Sequence, residues 1–428
     1  MLISKISLSN FKNFERIEVS LGDMNVIVGA NASGKSNFIQ ALKFVQNIRD
    51  FGIDNAISLV GGINYLRNFQ LKKAKNTSIS IDFKPDNLKI INNFGSHSLL
   101  LEYSNIIYTI EIAAVNGKKY EVVKEEIIYN TSIKYLESGA KTLGASLGDF
   151  KFVLSSKKGK VTYTNPIKNG SILFNIQGVN RKIESDKITP FPVYNSFFDT
   201  LKVDNDGKKT LLERFSFLFP TTITDFSVYD FDLKKAKEST PITGKVELEE
   251  NGENLAIVIK NILEDAEKTR QFSNLLTDIL PFIKGLNVET FYDKSLLFKV
   301  KEIYNAHIHL PSSLLSDGTI SVTAIVTALF FGDKKLMIFE EPEHGIHPAL
   351  IAKLMQYFYD ASKHKQIIIT THSPEILKHT HLKDLLLVSR NNSGFAQITK
   401  PIEQEIVNDF LTNELGIDQL FTQNLLDA

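Results

Sequence analysis

Eight residues, Gly29 to Ser36, constrain the fold of this chain more than any others: GANASGKS fits G-x-x-x-x-G-K-[ST] at every fixed position. The apolar run MNVIV before it reads as a strand, and SNFIQALKFVQNI after it, free of Gly and Pro, reads as a helix. Glycines let the backbone curl around phosphate oxygens, the N–H groups point inward, and the helix N-terminus adds partial positive charge. Ala30, Asn31, Ala32, Ser33 and Asn37 complete the candidate binding segment around Gly29 and Gly34. Lys35 would contact the β- and γ-phosphates and the Ser36 hydroxyl would ligate Mg²⁺. A strand, glycine loop and helix in this order commit the chain to an α/β fold.

With 428 residues, 43% hydrophobic and 23% charged, the chain can bury a sizeable core and has room for two or three domains or one large domain with an insertion. Lys+Arg and Asp+Glu both number 49, so no global field draws the protein to nucleic acid or a membrane, and binding of that kind needs a local patch. The absence of cysteine excludes disulfides and thiolate metal sites and fits a reducing compartment. The N-terminal MLISKISLSNFKNFERIEVSL alternates apolar and polar residues, unlike a signal peptide, and no stretch approaches the roughly 18 apolar residues of a membrane span. The expectation is a cytoplasmic protein with no membrane partner.

Three segments can be drawn. Residues 1–130 run strand, strand, glycine loop and helix, then a β layer in which LLLEYSNIIYTIEIAA and YEVVKEEIIYN pair as a hairpin about VNGKK. Residues 131–300 are mixed, with Gly/Ser/Lys-rich loops, the Phe-rich FPVYNSFF and ERFSFLF, and one expected helix over NLAIVIKNILEDAEKTRQFSNLLTDIL. Residues 301–428 return to α/β, with strands expected near IYNAHIHL and at KKLMIFEE, KQIIITTHS and DLLLVSR. Both ends of the chain are expected to contribute strands to one sheet.

Leu336 to Phe339 lead straight into Glu340 and Glu341, which places both acids at the carboxyl edge of a buried strand, where open α/β sheets bind ligands. Glu340 then suits the Mg²⁺ shell and Glu341 the orientation or deprotonation of an attacking water. A two-metal nuclease site built from Glu340, Glu341 and Glu343 is a rival reading, but it leaves the phosphate loop without a metal-holding acid. His372 ends the next apolar strand, where an imidazole can hydrogen-bond a γ-phosphate. His307 and His309, expected to share a strand face, and His344 and His347, three apart, permit a metal but no complete ligand set; His347-Pro348 reads better as a helix start. LSDGT, residues 315–319, is an ordinary turn or a Ser-Gly helix start that offers N–H groups to an anion.

GANASGKS, LSDGT, LMIFEEPE and THS follow one another as do the Walker A, signature, Walker B and switch-histidine motifs of ABC-type ATPases. The chain most resembles the RecF-like and SMC-like heads, and within them the overcoming-lysogenization-defect group of prokaryotic defence and repair systems, over residues 1–130 and 300–428. The resemblance implies an ABC-type P-loop NTPase head with a mixed/parallel central sheet, an antiparallel β subdomain and an inserted α+β middle region. It assigns Gly29, Asn31, Gly34, Lys35 and Ser36 to Walker A, Ser316 and Gly318 to the signature, Glu340 and Glu341 to Walker B, and His372 to the switch, with ATP and Mg²⁺ as ligands. Phe11 to Asn13 match, more weakly, the segment beside the nucleotide base. Glu340 in place of Asp, DGT in place of Gly-Gly-Gln, and His347 in place of an aspartate depart from the transporter pattern. Gln70 is a weak candidate for the coupling-loop glutamine.

In that family each signature faces the nucleotide held by the other subunit, which implies an ATP-dependent homodimer or a higher oligomer built from it. Residues 131–300 lack the sustained heptads of SMC-type coiled coils. The 56 residues after His372 are too few for the nuclease domain that often follows in the defence group, so a separately encoded effector, a nuclease or toxin, is expected. A repair ATPase that binds DNA ends and an ATP-gated module with little turnover are the alternatives. For nucleic acid, the basic runs KKAK (72–75) and KKGK (157–160) are the candidate contacts.

Overall fold

The computed structural model describes residues 2–71, 75–94, 97–115, 119–137, 143–158, 160–164, 171–176, 179–184, 210–211, 226–291, 293–304, 307–403 and 417–422. The two Phe-rich stretches and most of the KKAK run lie outside these residues. Strands β1 (Leu2–Phe11), β2 (Phe14–Ser20) and β3 (Met24–Val28) open the chain, and the phosphate loop leads into α1 (Lys35–Phe51), α2 (Ile53–Leu59) and α3 (Ile63–Leu66). Eight strands follow: β4 (Thr77–Lys84), β5 (Lys89–Phe94), β6 (His97–Val115), β7 (Lys119–Glu137), β8 (Leu143–Lys157), β9 (Lys160–Thr164), β10 (Ser171–Ile176) and β11 (Val179–Glu184).

From residue 226 the order is β12 (Phe226–Tyr229), α4 (Leu233–Lys237), β13 (Thr240–Pro241), α5 (Leu255–Leu263), α6 (Ala266–Ile279), β14 (Ile283–Thr290), β15 (Ser295–Glu302) and β16 (His309–Pro311). Then come α7 (Asp317–Phe331), β17 (Leu336–Glu340), α8 (Pro348–Ser362), β18 (Gln366–Thr371), α9 (Pro374–Lys378), β19 (Leu385–Arg390), β20 (Ala396–Thr399) and α10 (Ile417–Thr422). The chain divides into two compact units: Met1–Leu21, Asn37–Thr224 and Arg390–Gln397 form the first, and Gly22–Ser36, Asp225–Ser389 and Ile398–Ala428 the second. Residues 131–300 fall partly in each.

In the first unit β2, β1, β4, β6, β7, β8 and β9 neighbour one another in that order, with β5 added on β6. The β6–β7 hairpin is longer than its sequence pattern suggested, pairing from His97↔Glu137 to Val115↔Lys119. Alternation along β1 and β4 sends Ile6, Leu8, Ile79 and Ile81 inward. Phe38, Leu42, Phe44, Val45 and Ile48 of α1 are buried at helical spacing. Fully burying one such side chain is worth about 1.5–3 kcal/mol. Glu125 is buried as well, and the Tyr108 hydroxyl donates to its Oε1 at 2.8 Å.

The second unit carries a parallel sheet ordered β12-β17-β18-β3-β19. One N-terminal strand thus sits among C-terminal ones, as the sequence implied. β12, unforeseen from its four residues, pairs with β17 from Phe226↔Leu336 to Tyr229↔Phe339. β3 and β18 are buried throughout, as strands covered on both faces must be. Helix α7 is buried on nearly every side from Thr319 to Leu329, and its Thr323 and Thr327 hydroxyls donate to the carbonyls four residues back, at 2.7 Å each.

Two expectations need correction here. The helix expected over residues 254–280 is two, α5 and α6, because the Asp265 side chain accepts from the N–H groups of Glu267 and Lys268 and starts a new helix. The strand expected near IYNAHIHL contains only His309–Pro311, so His307 and His309 do not share a strand face.

Candidate phosphate-binding and hydrolytic site

Three adjacent strands of the second unit, β17, β18 and β3, deliver three loops to one edge of the sheet. β3 delivers Gly29–Ser36. Gly29 must be glycine, since a Cβ there would come within 2.3 Å of the Val388 carbonyl oxygen and 2.7 Å of Ser33 Oγ. Ala32 (φ 61°) and Gly34 (φ 134°) give the loop its reversed curvature, and Ser33 N–H donates to the Ala30 carbonyl at 3.2 Å. Lys35 begins α1, whose first turn carries no acid. The helix start itself therefore brings no negative charge to an anion docking there.

The Lys35 ammonium folds back on its own loop, donating to the carbonyls of Gly29 at 2.7 Å and Ala30 at 3.2 Å. Burial pulls its pKa below the ordinary lysine value, and the nearby carboxylates of Glu341 and Glu343 pull it back up. A buried cation held by carbonyls of its own loop, at a helix start that carries no acid, fits a phosphate chain. Ser36 follows in the same first turn.

β17 delivers Glu340, which stands opposite Thr370 of β18 in the parallel register. Glu341 N–H donates to the Thr370 carbonyl at 2.9 Å, and the backbone at Glu341 then turns into the left-handed region (φ 45°). That turn brings Glu341 Oε1 to 2.9 Å from Nδ1 of His372, the first residue past β18. Both side chains remain substantially open to solvent, at 42% and 49% exposure, so each can reach an incoming group. The neighbouring Glu343 accepts the Thr371 hydroxyl; burial raises its pKa, and that hydrogen bond opposes the rise.

Gly29–Ser36, Glu340, Glu341 and His372 are therefore gathered on one edge of one sheet, with Ser36 and Glu340 as the oxygen donors that would hold Mg²⁺. Ser316 and Gly318 sit instead at the start of α7, where Gly318 packs against Gly345 of the loop after β17. Ser316 caps α7, its Oγ accepting from Thr319 N–H at 3.2 Å. A Cβ on Gly318 would come within 2.7 Å of the Gly345 carbonyl oxygen. Asp317 ion-pairs with Lys237 of α4, which holds its carboxyl below the usual range. His347 caps α8, accepting from Ala349 N–H at 3.2 Å, as its position before Pro348 suggested.

In the first unit Lys12, Asn13, Asn37 and Gln70 line a cleft of about 390 Å³, together with Tyr65, Phe69 and Arg390. Tyr65 and Phe69 meet edge to face with centroids 5.9 Å apart. Lys12, Asn13, Asn37 and Gln70 are candidates already visible in the sequence, whereas Tyr65 and Phe69 carry no signal there. Nor does Arg67, which is buried with Nε and Nη1 lacking a hydrogen-bond partner among the described residues.

Residues 24–186 and 192–378 match a family described as "AAA domain, putative AbiEii toxin, Type IV TA system". The chain is 24% identical over 388 residues to the endonuclease GajA of Bacillus cereus strain VD045, covering 88% of this chain and 56% of that protein. It is 25% identical over 222 residues to the DNA replication and repair protein RecF of Bacillus thuringiensis strain Al Hakam, covering 51% of this chain and 53% of that protein. The chain thus spans about half the length of the curated relatives it matches. Among solved structures, an Smc head domain with an extended coiled coil derived from Pyrococcus furiosus, bound to the C-terminal domain of ScpA, superposes with a TM-score of 0.49 at 15% identity, covering 96% of this chain and 98% of that one.

Proposed function

This chain belongs to that AAA-domain family and is an ATPase-class protein related to defence and repair ATPases, and from that premise we propose that it hydrolyses ATP between two copies of itself and uses the cycle to control a separately encoded effector. The observation that carries the proposal is the convergence of Lys35, Glu341 and His372 on the carboxyl edge of three neighbouring strands. When bound, Mg²⁺ would neutralise charge on the phosphates from its place beside Ser36 and Glu340.

Each of the chain's own groups has a task it can perform. The phosphate loop binds and orients the triphosphate through its N–H groups, and Lys35 exchanges two carbonyl partners for phosphate oxygens. Glu341 accepts a proton from water or aligns it, and His372 orients that carboxylate through Nδ1 at Oε1. Ser316 and Gly318, at the start of α7, offer backbone N–H groups to the γ-phosphate on a second copy. Closure of such a pair depends on the γ-phosphate, so hydrolysis reopens it.

The effector role rests on the relatives: one is named an endonuclease and the family description names a toxin. We assign that chemistry to a partner protein, a nuclease or toxin whose activity the ATP cycle gates, with action in the cytoplasm. The deciding experiment measures phosphate release from ATP with Mg²⁺, and molecular mass by light scattering with and without ATP. Turnover together with an ATP-dependent doubling of mass is expected; phosphate release no greater than that of the Glu341→Gln variant would overturn the proposal.

A further inference from the structure

Glu343 lies three residues beyond the end of β17, and neither the phosphate cradle nor the Glu341–His372 pair needs it as a ligand. Its surroundings are nevertheless closely defined. Ser373 N–H donates to Thr371 Oγ1 at 2.9 Å, so the single Thr371 hydroxyl proton is left to donate elsewhere, and it goes to Glu343 Oε1. Glu343 Oε2 is shielded from solvent and has no hydrogen-bond partner among the described residues. Keeping a carboxyl group in such a place is unfavourable unless its other oxygen performs a task.

The task follows from the register. Glu340 is paired with Thr370, and Glu341 N–H donates to the Thr370 carbonyl. Beyond that point the ladder ends, because the backbone turns into the left-handed region at Glu341 (φ 45°) and the Glu341 carbonyl accepts from His344 N–H at 3.0 Å instead. Two side chains take over: the Glu341 carboxylate meets the His372 ring and the Glu343 carboxylate grips the Thr371 hydroxyl. Two acids spaced two apart on one loop thus hold two consecutive residues at the end of the neighbouring strand. His372 is half exposed, so packing does not fix its ring, and its aim depends on the backbone that presents it.

We propose that Glu343 is a positioning residue for hydrolysis: by accepting the Thr371 hydroxyl it fixes the strand end from which His372 meets Glu341. The proposal rests on the reading of Glu341 and His372 as the hydrolytic pair. What Glu343 supplies is a carbonyl-type acceptor at Oε1, and glutamine supplies the same. Serine at 371 likewise preserves the hydroxyl that valine removes.

The test compares Glu343→Ala and Thr371→Val with Glu343→Gln and Thr371→Ser. The first two are expected to lower kcat for ATP roughly 10- to 100-fold while KM and nucleotide affinity stay within about twofold, the pattern of a misaligned catalytic group. The conservative pair is expected to stay within about threefold of wild type. A second readout needs no turnover: with ¹⁵N-labelled histidine rings and no nucleotide, the His372 resonance, identified by its loss in His372→Ala, should move in Glu343→Ala and stay in place in Glu343→Gln. An unmoved ring signal in Glu343→Ala, or Gln as impaired as Ala, overturns the positioning role. Absence of hydrolysis by the wild-type protein overturns the ATPase reading instead, and the ring signal then decides the Glu343 contact alone.

Discussion

Glu341 Oε1 lies 2.9 Å from His372 Nδ1, across the carboxyl ends of two strands paired in parallel register. Neither residue is near the other in sequence; the pairing exists because Glu341 takes a left-handed backbone (φ 45°) directly after its strand. Glu341→Gln keeps an oxygen for the ring and removes the base. Steady-state hydrolysis should fall roughly 10²- to 10⁴-fold, the range for loss of general-base assistance. ATP affinity should survive, and the ATP-bound pair should persist on a sizing column. Hydrolysis at the wild-type rate would remove Glu341 from the role of base.

Lys35 is a buried cation whose described partners are carbonyls of its own loop. Charge-assisted bonds to phosphate are worth about 1.5–3 kcal/mol, so Lys35→Ala should weaken ATP binding roughly 10- to 150-fold in a calorimetric titration. Because burial already disfavours the charge, the nucleotide-free protein should melt no lower than wild type. Unchanged affinity would contradict the phosphate-loop assignment.

The parts of this site that were legible in the sequence are those in which chemistry and local structure coincide. The residues GANASGKS between an apolar strand and a helix, and the acids at the end of LMIF, announce their position at the edge of the sheet. The contacts of Glu343 and Gly318 were not legible, because each depends on where a loop turns after it leaves the sheet. Periodicity says nothing about the turn at Glu341 that sends Glu343 to Thr371, or about the approach of the Gly345 carbonyl to Gly318. The break between α5 and α6 was available from Asp265, an acid in a capping position, but the uninterrupted helical pattern hid it. β12 is too short to carry a signal of its own and is defined by its pairing with β17.

Lys365 Nζ donates to the Leu329 carbonyl at 2.8 Å, at the C-terminal end of α7, and burial lowers its pKa to about 8. Between about pH 8 and 10.5 the unfolded chain holds this proton and the folded chain has released it. Stability from this group therefore rises with pH across that window and is flat below it. In paired urea melts, the stability of wild type relative to Lys365→Met should increase from pH 8 to pH 10. A difference that stays constant or shrinks would show that Lys365 keeps its charge in the fold.

Gly318 approaches the Gly345 backbone so closely that Gly318→Ala must push one loop away, with its added Cβ 2.7 Å from a carbonyl oxygen. Such overpacking costs roughly 1–3 kcal/mol, visible as a lower denaturation midpoint. The loop that would move also carries Glu341, so kcat should fall together with stability while ATP affinity, which depends on the phosphate loop, holds. Normal kcat in a destabilised variant would separate the signature from the hydrolytic loop.

Ser316 offers the sharpest separation of folding from pairing. Its Oγ caps α7 by accepting from Thr319 N–H, and Asp caps helices as well as Ser does. Ser316→Asp should therefore keep the melting midpoint while placing a negative charge where the proposed pairing would bring the γ-phosphate of a second copy. Like charges in that position oppose closure. The variant should bind ATP as a monomer with wild-type affinity, show no ATP-dependent rise in mass, and lose most turnover. Mixed with Glu341→Gln chains, whose signatures are intact, it should recover some hydrolysis, because its own phosphate loop and Glu341 would then face an unaltered Ser316. Wild-type pairing by Ser316→Asp alone would show that α7 does not meet the nucleotide of a second chain.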